Sequence, residues 1–164
     1  MGKERVIIVN EKDEIIGHKE RGTLEKEDIY RVSALWVINS KGEILLAKRH
    51  RNKTHHPGMW GPAVAGTVDE GESYGENIIK ETEEEIGLKD IKFKLGPKVR
   101  RTGEYEHFTQ WYLLTVDQKA SEFKIQEDEV EVVKWFSKEE LTDWMKTSPE
   151  KFLPSMPGYL ELLK

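Results

Sequence analysis

A chain of 164 residues with 37% hydrophobic content is the size of one ordinary domain with a real core, and its Trp, Tyr and Phe residues are spread without a repeat, linker or low-complexity stretch. Its 31 acidic against 26 basic residues give a net charge of −5, which argues against a general nucleic-acid binder working by phosphate neutralisation. The lack of cysteine excludes disulfides, thiolate metal sites and cysteine nucleophiles. The amino end MGKERVIIVNEKDEIIG has too short an apolar run for a signal peptide or a membrane span, so a soluble cytoplasmic protein is expected, one domain over residues 1–164.

In chain order, short β-branched and apolar runs predict strands at 5–10 (RVIIVN), 14–18 (EIIGH), 31–39 (RVSALWVIN) and 43–49 (EILLAKR), the last two joined by the hairpin-sized Ser40, Lys41 and Gly42. The basic segment HRNKTHHPGMWGP follows, with two prolines and two glycines that break regular structure over most of it. A helix is predicted over 73–86: Ser73 caps it with Glu76 at the capping-box spacing, Ile78, Ile79, Thr82 and Ile86 face inward, and Gly87 stops it. Further strands are expected at IKFKLG, at 107–116 (HFTQWYLLTV) and at 130–136 (VEVVKWF). A helix over 137–145, with Ser137 as cap and Glu140 at the third position, and a last short helix after Pro157 complete an α+β pattern.

The stretch from Gly66 to Leu88 holds seven glutamates and one aspartate among 23 residues. On a helix Glu81, Glu84 and Glu85 stand at i, i+3 and i+4, so their carboxylates leave one face, and each like-charge pair costs a few tenths of a kcal/mol. Two readings follow. One is a solvated acidic face; the other is a seat for a hard divalent cation such as Mg2+ or Mn2+, which prefers oxygen ligands and shares its shell with a substrate phosphate. The spacing outside the helix favours the second: Gly66, five residues, Glu72, seven residues, Lys80-Glu81, then Glu84, Glu85, Gly87 and Leu88.

At these positions the sequence resembles the Nudix hydrolase family, departing from its signature at Lys80, where the family has arginine, and at Thr82, where it has an aliphatic residue. Lysine keeps the charge but not the bidentate fork. The resemblance implies an α/β/α sandwich with a mixed central sheet and a loop-helix-loop metal site. It implies Glu81, Glu84 and Glu85 as metal ligands, Glu81 also as a base, Glu72 as a supporting carboxylate and Lys80 as the orienting cation. The implied reaction is metal-dependent attack of water on a diphosphate linkage of a nucleoside diphosphate derivative or related organic pyrophosphate, by a monomer or homodimer acting on a small molecule without membrane or nucleic acid.

The flanking HPGMWGPAVAGTVDEGES also resembles the branch that includes isopentenyl-diphosphate isomerase. There a cysteine precedes the signature glycine; here the residue is Ala65, and the isomerase's metal-binding histidines correspond to Thr67 and Tyr30. The resemblance therefore implies an isomerase-like hydrolase, with an isomerase and a non-catalytic nucleotide-binding regulator as alternatives. In that branch two carboxylates follow on a later segment. Glu104 and Glu106 occupy that place, read as two residues apart on a strand and so on one face, Glu104 as a further metal ligand and Glu106 as a catalytic residue. Arg49 and Lys53 match positions that contact diphosphate. His55 and His56 are read as packing or capping the loop, Trp36, Trp60 and Trp111 as core in preference to a surface for a nucleobase or prenyl chain, and Glu127, Asp128, Glu129 and Glu131 as a solvated acidic loop, with the family resemblance offering a late-loop catalytic glutamate as the alternative.

Overall fold

A computed structural model describes residues 4–163. Among them the strands are β1 (Arg5–Val9), β2 (Ile15–Glu20), β3 (Ile29–Ile38), β4 (Ile44–Arg49), β5 (Trp60–Pro62), β6 (Val64–Thr67), β7 (Lys94–Arg101), β8 (His107–Thr115) and β9 (Val130–Phe136). The helices are α1 (Tyr74–Ile86), α2 (Lys138–Thr147) and α3 (Met156–Leu162). β3 is the hub of a mixed sheet. One of its edges pairs antiparallel with β1, β6 and β4 in turn, and the other runs parallel to β8 from Tyr30 opposite His107 to Ile38 opposite Thr115. β4 carries β5 and β9, both antiparallel, and β7 closes the β8 side.

Strand pleating explains why both faces need a cover. Leu35 and Val37 of β3 and Leu45 and Ala47 of β4 join Ile78 and Ile86 of α1 in one core. The alternate residues Ala34, Trp36, Ile44 and Leu46 join Leu141 of α2 and Met156 of α3 in a second. Helices thus lie on both faces, and the expected α/β/α sandwich with a mixed sheet is what the chain forms. No helix among the described residues is long and apolar enough to cross a membrane.

Four local expectations change. β5 and β6 arise inside and just after the Pro/Gly segment, because they gain long-range partners in β4 and β3 that local propensity does not register. β7 begins at Lys94 rather than at Ile91; Ile91 and Phe93 pack against the α1-side core and the charged edge strand starts after them. On α1, Ile79 is 55% exposed and Asn77 is buried in its stead. Glu104 and Glu106 lie in the turn between β7 and β8, not on a strand, so the same-face argument for them fails.

Candidate active site

α1 is fixed at both ends by its own sequence. The Ser73 hydroxyl accepts the Glu76 N–H at 3.1 Å, and Gly87, at φ 73°, ends the helix while its N–H donates to the Glu83 carbonyl. The preceding loop is tied down through Glu72. Its Oε1 accepts the Asp69 N–H at 2.8 Å and Asn77 Nδ2 at 3.1 Å, and its Oε2 meets Lys80 Nζ at 2.6 Å. Burial opposes ionisation of Glu72, but Lys80, the Asp69 amide and Asn77 outweigh it and hold the carboxyl below its ordinary range. Asn77 Nδ2 also donates to the Thr67 carbonyl at 3.0 Å, joining helix to β6. Lys80 extends toward Asp69 at 3.6 Å and Glu81 at 4.0 Å, so it sits among three carboxylates.

Glu81 lies against β6 at Gly66. A Cβ at Gly66 would stand 2.5 Å from Glu81 Cγ and 2.6 Å from its Cδ, so the glycine of the motif is the cradle for this carboxylate. Burial and then the neighbouring Glu84 raise Glu81 to about 7. Glu85 is half-buried too, and its Oε2 accepts the Ala65 N–H at 3.4 Å; burial and then Glu81 raise it to about 8. Glu84 stands exposed beside them. Carboxylates held this way have too little positive charge nearby, and hard oxygen donors on one helix face fit magnesium or manganese. Among the described residues no three such groups are already converged as a coordination shell.

Opposite them stands the basic segment. Arg49 Nε donates to the His55 carbonyl at 3.0 Å, and its guanidinium feels burial first and then Glu85 and Glu129. Lys53 pairs with Glu129, whose backbone carbonyl accepts the His50 N–H at 3.0 Å, while the Gln126 N–H donates to the Glu85 carbonyl at 3.0 Å. Glu129 is therefore not in a solvated loop: the pairing of β4 with β9, which sets Arg49 opposite Val130, brings it between the basic segment and α1. No local signal marks it; only that strand pairing does. Glu131, by contrast, neutralises Lys48 at 3.3 Å and Arg51 at 2.6 Å. Asn77 was also missed, although Asn77, Glu81 and Glu85 at i, i+4 and i+8 form one stripe of the helix.

Glu106 is engaged elsewhere: its Oε1 meets Arg100 at 2.7 Å and its Oε2 accepts the Gly103 N–H at 2.8 Å, and Arg100 foremost holds it below its ordinary range. Glu104 is exposed in the same turn. The charges acting on Glu81 come instead from Glu84, Lys80, Glu72 and Asp69. Trp36, Trp60 and Trp111 are buried, as read, and so are core rather than ligand platforms.

A sandwich that lays carboxylates of α1, short of positive charge, beside an arginine-bearing loop suits a hydrolase of phosphoric anhydrides. The chain belongs to the NUDIX domain family, whose pattern spans residues 29–156, and acts in that class of enzymes on pyrophosphate bonds. An uncharacterized Nudix hydrolase of Listeria monocytogenes is 28% identical over 151 residues, covering 90% of this chain and 86% of that protein. YfcD of Escherichia coli K12, also an uncharacterized Nudix hydrolase, is 31% identical over 140 residues, covering 85% and 77%. The crystal structure of DR0079 from Deinococcus radiodurans has the same fold, with a TM-score of 0.84 at 22% identity over 98% of this chain and 100% of that one. These likenesses show the family and the fold; they do not show the isomerase-like branch.

Proposed function

We propose that the protein hydrolyses a diphosphate linkage in a nucleoside diphosphate derivative or related organic pyrophosphate, as a single domain, with magnesium or manganese held by Glu81, Glu84 and Glu85. The carrying observation is the pair Glu81 and Glu85, partly withdrawn from water beside a glycine cradle, with the nearest cation, Lys80 at 4.0 Å from Glu81, shared with Glu72 and Asp69. Bound there, the cation supplies Lewis-acid activation of water and neutralises charge on the diphosphate. The chain's own residues do the rest. Lys80 and Asn77 hold Glu72, and through it the loop that keeps Glu81 in register. Glu81 accepts the proton at a carboxylate oxygen, with Glu129 across the site as a second carboxylate, paired with Lys53 and acting on Arg49 from beyond ion-pair distance. Arg49 and Lys53 bind the phosphates, Lys53 exchanging Glu129 for substrate oxygen.

Hydrolysis is preferred to isomerisation because Ala65, beside the signature glycine, offers no group for proton transfer to carbon. Glu104 and Glu106 are left outside the proposed metal set, since Arg100 and the Gly103 amide occupy Glu106. The test is turnover of a panel of nucleoside di- and triphosphates, nucleotide sugars, dinucleoside polyphosphates and isopentenyl diphosphate in oxygen-18 water with magnesium. Labelled phosphate from one class, abolished in Glu81→Gln, supports the reading; unchanged turnover in that variant sinks it.

A further inference from the structure

The chain has seven arginines. Five are paired: Arg5 with Glu70, Arg21 with Glu4 and Asp69, Arg31 with Asp13, Arg51 with Glu131, and Arg100 with Glu11 and Glu106. Among the described residues Arg49 and Arg101 have no carboxylate within ion-pair reach, although both are half-buried in an acidic protein. An arginine taken partly out of water without an anion is costly unless a ligand supplies the acceptors.

A continuous strip of polar rings joins the two. Arg49 donates to the His55 carbonyl at 3.0 Å, and the His55 Nδ1 and the Tyr105 hydroxyl are 2.6 Å apart. The Tyr30 N–H donates to the carbonyl of Glu106, the residue after Tyr105, at 3.2 Å, and Tyr30 stacks on His107 with centroids 5.2 Å apart and planes 27° from parallel. His107 is the register partner of Arg101, whose guanidinium lies 5.0 Å from the centre of the Tyr159 ring. None of the four rings of the strip belongs to a hydrophobic core.

Strand register places this strip on the sheet face turned away from α1. Ala34 faces the α2 and α3 core, and its direct partner on β6 is Ala65, so Ala65 shares that face; two residues on, Val32 pairs with Thr67, and two further lies Tyr30 opposite His107. Ala65 is exposed, and because β6 pairs only with β3 among the described strands, its N–H on the free side of the strand donates to Glu85. The face therefore opens at the carboxylates and continues to Arg101.

We infer that this strip is the subsite for the base of a nucleoside diphosphate, with its phosphates at Arg49, its base stacked along Tyr105, Tyr30 and His107, and Arg101 donating to a carbonyl oxygen or ring nitrogen of the base. The inference rests on the hydrolase reading and names its substrate class. A prenyl chain laid here would strip water from hydroxyl, imidazole and guanidinium groups without replacing their hydrogen bonds, whereas a heteroaromatic base offers both a π-face and acceptors.

Calorimetric titration in magnesium tests it with two probes that cannot be hydrolysed: α,β-methylene analogues of the common ribonucleoside diphosphates, and methylenediphosphonate, which keeps the phosphates and lacks the base. Tyr105→Ser, in an accessible turn, and Arg101→Met are expected to weaken the best nucleotide analogue about tenfold or more, while methylenediphosphonate binds as it does to the unaltered protein. Equal weakening of both probes, no weakening of either, or a nucleotide analogue bound by the unaltered protein no more tightly than methylenediphosphonate would overturn the subsite. Arg49→Gln should weaken both probes. The hydrolase reading fails separately, in the Glu81→Gln turnover test, and leaves this binding comparison decisive for the subsite.

Discussion

Asp13, in the turn between β1 and β2, and Glu85, on the last turn of α1, are both carboxylates withdrawn from water, yet burial ends differently for each. The Asp13 side chain is 7% exposed, but Arg31 at 2.8 Å, Lys98 at 2.7 Å and the Tyr74 hydroxyl at 2.9 Å surround it. Burial opposes its ionisation and those three donors win, so it stays below the ordinary carboxylate range. Glu85 has one long backbone hydrogen bond and another carboxylate for company, and it is pushed up to about 8. The Asp13 cluster ties the first hairpin to β3, α1 and β7, and it is complete in itself. The α1 cluster has only Lys80, which Glu72, Asp69 and Glu81 share. A carboxylate satisfied within the chain serves the fold, and one left short of positive charge is available for chemistry.

The sharpest break between the clusters is Glu81→Gln, expected to lower kcat by at least about 10³, equivalent to ~4 kcal/mol of barrier, with an unchanged circular dichroism spectrum. Next is Asp13→Ala, which leaves Arg31 and Lys98 without their anion; denaturant unfolding should show a loss of about 3 kcal/mol with little change in the metal site. Third is pH. For Glu81 and Glu85 the folded values, about 7 and about 8, exceed the 4.5 of the unfolded chain, so the folded state holds extra protons and their contribution, present below about 4.5, is lost as pH rises through 7 to 8. Metal-free protein should therefore be less stable to denaturant at high pH than near pH 5. Glu85→Gln should flatten that slope and added magnesium should offset it. Asp13 has the opposite sign: its stabilisation is present above its unfolded value of 3.8 and disappears in acid below it.

Gly66→Ala comes fourth. The added methyl must displace Glu81, so kcat should fall about tenfold to a hundredfold, roughly 1.4–3 kcal/mol, while thermal unfolding moves far less. The smallest effect belongs to Lys80→Arg, which restores the family's residue: kcat should change within about threefold, below ~1 kcal/mol. A large gain there would mean that the fork geometry, not the charge, orients Glu81.

What could be read in the sequence divides along the same line. α1 was legible because its caps, its stop at Gly87 and its carboxylate spacing are local. Most strands were legible as apolar runs, and the burial of three tryptophans agreed with them. The missed parts are set by distant partners. Glu129 enters the site through β4–β9 pairing, β5 and β6 exist because β4 and β3 are beside them, and Ile79 yields the inward position to Asn77 because Thr67 and Glu72 need its amide. Glu104 and Glu106 were misplaced because the β7–β8 hairpin turns before them, a register that alternation in one segment does not reveal.

The parallel pairing of β3 with β8 also governs how the protein comes to be folded. β3 and β4 are apolar strands made early, but the β8 and β9 edges that flank them come from the later part of the chain. Until those segments emerge from the ribosome, two sticky strands expose unpaired backbone, and no local hairpin can complete the hub. Folding should therefore be slow and concerted near the end of synthesis, and this interval, rather than the finished enzyme, is when the protein is most prone to aggregate and most in need of a chaperone.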